Sequence, residues 1–128
     1  MADTVATRTL HDGPRNVVQH FLNQSDGTGE SAVVKVDVST FSPAATRVRI
    51  DKIDFATEGM AVDILWDATT PVLAVHLPRD MSVTLDYSAI GGLINPKATG
   101  WTGDIKFTTM TNPNGGRYSI TLHMKKQA

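Results

Sequence analysis

The chain has no cysteine, so neither a disulfide framework nor a thiolate zinc site can be part of it. It has little charge excess: 12 Lys and Arg against 13 Asp and Glu leave a formal net charge of -1. A general electrostatic affinity for nucleic acid is therefore not indicated, and Lys125-Lys126 is too short a basic run to supply one. It has no apolar run near the roughly 18 residues that a membrane helix needs, so no membrane is expected among its partners. The opening residues, MADTVATRTLHDG, lack the basic and apolar regions of a signal peptide. The expectation is a protein made and kept inside the producing cell until something larger carries it out. No duplicated motif and no low-complexity linker divides the 128 residues, which is the length of one domain.

Helical periodicity is also missing, and strand periodicity is present. The stretch Met60–Leu77, MAVDILWDATTPVLAVHL, reads as two strands joined by a short turn. Val62, Ile64 and Trp66 share one face, while Asp63, Leu65 and Asp67 share the other. Trp66 carries the largest apolar area and is placed in the core. Pro71 cannot donate to a ladder, so it belongs at the start of the return strand, which Pro78 ends.

The rest of the chain follows the same grammar. Residues 1–10 are rich in Thr and Val with weak alternation, and suit either an edge strand or an arm that completes its ladder on a neighbouring subunit. The remainder, 11–128, is expected to be a single β-domain. Arg15–Asn23 carries apolar residues on both faces, as if covered on both. Ser25-Asp26-Gly27-Thr28-Gly29 supplies the positive-φ residues of a tight hairpin turn. Glu30–Ser39 alternates, with Ala32, Val34, Val36 and Val38 on one side. In Thr46–Thr57 the phase of Val48 and Ile50 is one residue out from that of Ile53 and Phe55, which predicts a bulge near Asp51-Lys52. Ser82–Tyr87, Asp104–Met110 and Arg117–Lys126 complete the strands, with Asn112–Gly116 as another turn. About eight strands with turn signals between them predict an all-β fold, a single-domain antiparallel β-sandwich or jelly-roll-like barrel. The expected core is Val34, Val36, Val48, Ile50, Val62, Ile64, Trp66, Val83, Leu85, Phe107, Ile120 and Leu122.

No catalytic constellation stands out. His11, His20, His76 and His123 lack ligand spacing, and even His20 with His76 across strands does not make a metal site; no cofactor is expected. Asp51, Asp54, Asp63 and Asp67 alternate with core residues, as on a solvated sheet face. Gly91-Gly92 and Gly115-Gly116 lack the context of phosphate loops, and no serine sits in a nucleophile elbow. The feature that asks for a role is the long irregular segment Ser88–Gly103. It carries Ile90, Leu93, Ile94 and Trp101 among glycines, and such loops are uncommon without a purpose.

Several stretches carry a resemblance: Asn23–Ala32, Lys35-Val36-Asp37-Val38, Leu65-Trp66-Asp67-Ala68-Thr69, Gly103-Asp104-Ile105, and the ending from Tyr118 through Leu122 to Lys126. On these the chain resembles small structural proteins from the virions of tailed bacteriophages, and is similar in size and strand content to capsid cement (decoration) proteins. The resemblance implies a non-enzymatic virion protein on the outer surface of the capsid. It would clamp neighbouring major capsid subunits as a homotrimer, with no direct contact to nucleic acid. The alternatives are a neck or tail component, or a carbohydrate-binding module on the virion that uses Trp101 as a stacking platform. The expected interface residues are Thr4, Val5, Thr7, Arg8 and Leu10 of the N-terminal stretch and Ile90, Leu93, Ile94 and Trp101 of the long loop.

Overall fold

The computed structural model describes residues 4–24, 33–41, 46–96, 98–110 and 116–127. The turn expected at 25–29, most of the one at 112–116, the Pro43 loop and Ala32 lie outside them. Among the described residues, nine strands form two antiparallel sheets packed as a sandwich. The strands are β1 (Thr4–Asp12), β2 (Asn16–Gln24), β3 (Val33–Val36), β4 (Arg47–Glu58), β5 (Ala61–Trp66), β6 (Val72–Leu77), β7 (Ser82–Asp86), β8 (Ile105–Met110) and β9 (Arg117–Gln127). One sheet has the order β1-β2-β9-β4-β7 and the other β3-β8-β5-β6. The all-β antiparallel sandwich read from the alternation is the observed fold.

The inward faces are those the period-two pattern selects. Val62, Ile64 and Trp66 of β5, Ile105 and Phe107 of β8, and Tyr118, Ile120, Leu122 and Met124 of β9 are buried together. The two sheets meet on Phe107, whose ring stands edge-on to Phe21 at 5.2 Å and to Tyr118 at 5.9 Å between centroids. Such edge-to-face contacts direct a ring's positive rim at its neighbour's negative face. The phase slip in β4 is a bulge: its register against β9 shifts between Ile50 and Lys52. The extra residue turns both Val48-Ile50 and Ile53-Phe55 inward.

Two expected core positions, Val34 and Val83, are corrected, and a third, Leu85, packs on the core half-buried. Val34 is 45% exposed. An irregularity between Val34 and Val36 in the pairing of β3 with β8 breaks the alternation that placed both inward. The strand also ends sooner than the sequence suggested. Its end is set by Asp37, whose carboxylate accepts the backbone N–H of Ser39 at 3.0 Å and caps a short 3-10 turn at Val38–Thr40. Val83 is 41% exposed and Leu85 is half-buried. They stand opposite Phe55 and Ile53, so their phase is inward. However, among the described residues β7 is the edge of a five-stranded sheet that faces one of four strands. The strand β2, expected to be covered on both faces, buries Val17, Gln19, Phe21 and Asn23 and leaves Leu22 of the other face exposed.

Candidate functional site

Thr4, Val5, Thr7, Arg8 and Leu10 all belong to β1, which pairs along its length with β2 of the same chain. The N-terminal stretch is thus an edge strand of the domain's own sheet. Thr7, Arg8 and Leu10 are exposed, and Leu10 sits at an irregularity between Thr9 and His11. Among the described residues, one side of β1 carries a partner strand and the other does not.

The long loop is a built structure. Asp86 accepts the N–H and hydroxyl of Ser88 and opens a 3-10 turn at Ser88–Ile90. Gly91 and Gly92 follow with φ of +86° and +85°, a region that glycine enters without strain. The N–H of Gly92 returns to the carbonyl of Tyr87 at 2.9 Å. Leu93 then pairs with Ile50 in an isolated bridge and packs on the core. Further on, Thr69 donates to Thr99 at 3.0 Å and Thr102 to Asp67 through both N–H and hydroxyl, which ties the loop to the β5–β6 turn. Of the four apolar residues singled out in the sequence, Leu93 and Trp101 are half-buried. Ile90 and Ile94 face water, at 73% and 55% exposure.

A second surface, which the sequence did not disclose, covers the outer face of the five-stranded sheet. Strand register lines up Ala6, Leu22, Ser119, Ala56 and Ser82 across all five strands. These mostly small side chains floor a groove of about 650 Å³, walled at one end by Met81, Glu58 and Arg117. The next row holds Arg8, His20, Thr121, Asp54 and Thr84. Here Thr84 donates to Asp54 at 2.5 Å, and His123 lies 3.0 Å from its other oxygen. The Thr84 bond, against a smaller opposing effect of burial, and the His123 bond hold the Asp54 carboxyl below the usual carboxylate range.

His20 Nε2 lies 2.8 Å from Ser119 Oγ at the edge of the groove. Burial, and then the charge of Arg8, lower the imidazole's pKa and favour its neutral form. The other ring nitrogen, Nδ1, is buried without a hydrogen-bond partner, so no carboxylate orients this ring as one does in a catalytic triad. The four aspartates read as a solvated face are each paired: Asp51 with Arg49 at 2.9 Å, Asp54 with His123, Asp63 with His76 at 2.5 Å, and Asp67 with Lys106 at 2.9 Å. Arg49 and Asp51 are two residues apart on β4, whereas the partners of the other three come from different strands. Among the described residues, no group of three or more His, Asp or Glu converges as a metal site would require, and no helix is long and apolar enough to cross a membrane.

No family model matches the chain, and no curated protein does. Solved structures align with it loosely. HppE in its cobalt(II) form with Tris buffer shares 12% identity over 93% of this chain and 52% of its own, with a TM-score of 0.41. A cupin superfamily protein from Desulfitobacterium hafniense shares 11% over 100% of this chain and 82% of its own, at 0.39. Hydroxypropylphosphonic acid epoxidase from S. wedmorenis with fosfomycin shares 12% over 92% and 50%, also at 0.39. The chain spans about half the length of the HppE structures it aligns with.

Proposed function

We propose that this chain is a non-enzymatic virion structural protein of a tailed bacteriophage, a cement protein on the outer surface of the capsid that clamps neighbouring major capsid subunits. The virion setting rests on the sequence resemblance. The structural observation in its favour is the pair of exposed isoleucines, Ile90 and Ile94, on a loop fixed to the sandwich through Leu93. Apolar side chains held in water on a rigid frame lose little conformational entropy when a partner covers them. A ligand that binds only the assembled lattice stabilises it by mass action. Three copies around a threefold position, the trimer, multiply weak contacts into avidity.

The test is re-decoration of capsids stripped of this protein, read by co-sedimentation and particle reconstruction. Wild type should give density over the whole shell at threefold positions. The double variant Ile90→Ser/Ile94→Ser should keep its thermal midpoint and lose occupancy. Density confined to one vertex would replace this reading with a neck or tail component. Full occupancy by the double variant would remove the loop from the contact.

A further inference from the structure

Lys125-Lys126 is a short basic run in the sequence, but the fold adds to it. The register sets Asn16 of β2 opposite Lys125 of β9, and Lys125 opposite Arg49 of β4. These three outward-facing residues therefore stand in one row on adjacent strands, about 4.8 Å apart. Arg15 joins them, its carbonyl accepting the N–H of Lys126 at 2.6 Å. Together the five residues line a cavity of about 260 Å³.

Two carboxylates of the chain already lie at the margins of this corner. Asp51 takes Arg49 at 2.9 Å and stands 3.9 Å from Lys125. Asp12 takes Lys126 at 2.7 Å, and the Lys126 side chain is almost wholly buried. Among the described residues, four cations here thus meet two carboxylates, on a chain whose overall balance is slightly acidic. The excess falls on Arg15, which is exposed with no carboxylate in ion-pair reach among the described residues, and on Lys125, 47% exposed.

We propose that this corner is an anion-binding site that receives carboxylate side chains from an acidic segment of a partner protein. Arg15 and Lys125 are the capturing groups, and Asn16 offers a neutral side-chain amide between them. Arginine and lysine donors give charge-assisted hydrogen bonds to carboxylate oxygens, stronger than neutral ones. A cavity of this size has room for one or two acidic side chains. An extended polyanion such as single-stranded DNA needs a basic track, whereas here Asp12 and Asp51 flank the cavity. The site stands independently of the virion reading.

The test uses the full chain and two fluorescein-labelled probes, hexaglutamate and a short oligothymidine, followed by fluorescence anisotropy at low salt. Arg15→Gln/Lys125→Gln is compared with Arg79→Gln/Arg117→Gln. The latter removes the same charge from other exposed positions. Hexaglutamate should bind saturably, lose about tenfold in affinity in the first double variant, and bind the second like wild type. Amide shifts on the wild-type protein, which need no variant to fold, should centre on Arg15, Asn16, Lys125 and Lys126. Absence of saturable binding, equal losses in both variants, or shifts centred elsewhere would overturn the site. Tighter binding of oligothymidine, lost in the same variant, would make it a phosphate site and overturn the carboxylate assignment.

Discussion

Ile50 and Leu93 exchange both backbone hydrogen bonds, Ile50 N–H to Leu93 O at 3.0 Å and Leu93 N–H to Ile50 O at 2.7 Å. The bridge lies immediately before the β4 bulge, and the carbonyl of the bulged Asp51 accepts the N–H of Tyr87 at 2.8 Å. The bulge that corrects the phase of the core therefore also offers backbone groups that hold the loop.

That anchoring makes Gly92 sensitive to substitution. It has φ of +85°, and a Cβ there would meet the Asp51 carboxylate at 2.6 Å and the Ile50 carbonyl at 3.1 Å. Gly91 has nearly the same φ, but a Cβ on it would meet nothing within 4 Å. Gly91→Ala should show the conformational strain alone, about 1 kcal/mol. Gly92→Ala should cost more, about 2–4 kcal/mol, because the clash adds to the strain. Denaturant unfolding of both variants measures the difference, and equal losses would mean that the loop does not lie against Ile50.

Trp66 is 4% exposed at the end of β5, between Val72 of β6 and Ile105 of β8. Trp66→Ala should cost about 3–5 kcal/mol, since a large side chain leaves a cavity that strands on both sides keep from collapsing. Thermal unfolding is the check. An unchanged midpoint would contradict the burial.

Two aspartates should move stability in opposite directions with pH. Burial, with the neighbouring charges of Asp37 and Asp67, raises the Asp104 carboxyl, although Asp104 accepts the N–H of Val38 at 3.1 Å. A carboxyl raised on folding destabilises the native state above its folded pKa, and the penalty declines as pH falls below that value and is gone below the unfolded pKa. Asp104→Asn keeps an acceptor for Val38, so it should raise the midpoint at neutral pH and have no effect in acid. Asp54 is depressed, by the Thr84 bond before all else. Its contribution is present above the unfolded pKa and is lost as pH falls through the folded one. Asp54→Asn should lower the midpoint modestly at neutral pH, the group being well exposed, and converge with wild type in acid. Midpoints measured from neutral to acid pH would show the two variants diverging from wild type with opposite sign. Shifts of the same sign would refute the assignment.

The sandwich was legible because burial on one face enforces a period of two, and even the β4 bulge showed as a slip of phase between Ile50 and Ile53. What stayed hidden depends on which strands become neighbours. Alternation gives Val83 and Leu85 the right face but does not say that β7 is an edge strand, where that face is only partly covered. Nor does it show that Lys35 sits at an irregularity that turns Val34 outward. The groove and the basic corner are rows across strands. Ala6, Ser119 and Ala56 are far apart in the chain, as are Asn16, Lys125 and Arg49, and they meet only through register. In the loop, composition marked Ile90, Leu93, Ile94 and Trp101 together. Backbone pairing then drew Leu93 against the core and left Ile90 and Ile94 outside.

The edge strand β1 provides the remaining prediction. Ala6 to His11 are all exposed, so this stretch adds little to the core and is held mainly by its ladder with β2 and by the Gln19 amide donating to Thr9 at 3.2 Å. Removing residues 2–10 should leave the core intact, because Val17 and Phe21 of β2 face the opposite sheet. The truncated protein should fold with a midpoint lower by roughly 5–10 °C, reflecting lost ladder bonds and little lost apolar burial. It should also exchange the amides of β2 faster, since that strand becomes the new edge. In the wild type the outer side of β1, which pairs with no strand among the described residues, is a row of backbone donors and acceptors suited to strand addition by a neighbour. If β1 serves that contact, the truncated protein will stay folded and fail to re-decorate stripped capsids. Full occupancy by a folded truncation would show that the contacts lie elsewhere. Failure to fold would show that β1 is needed to complete the sheet, leaving its outer edge to be tested by substitutions at Arg8 and Leu10.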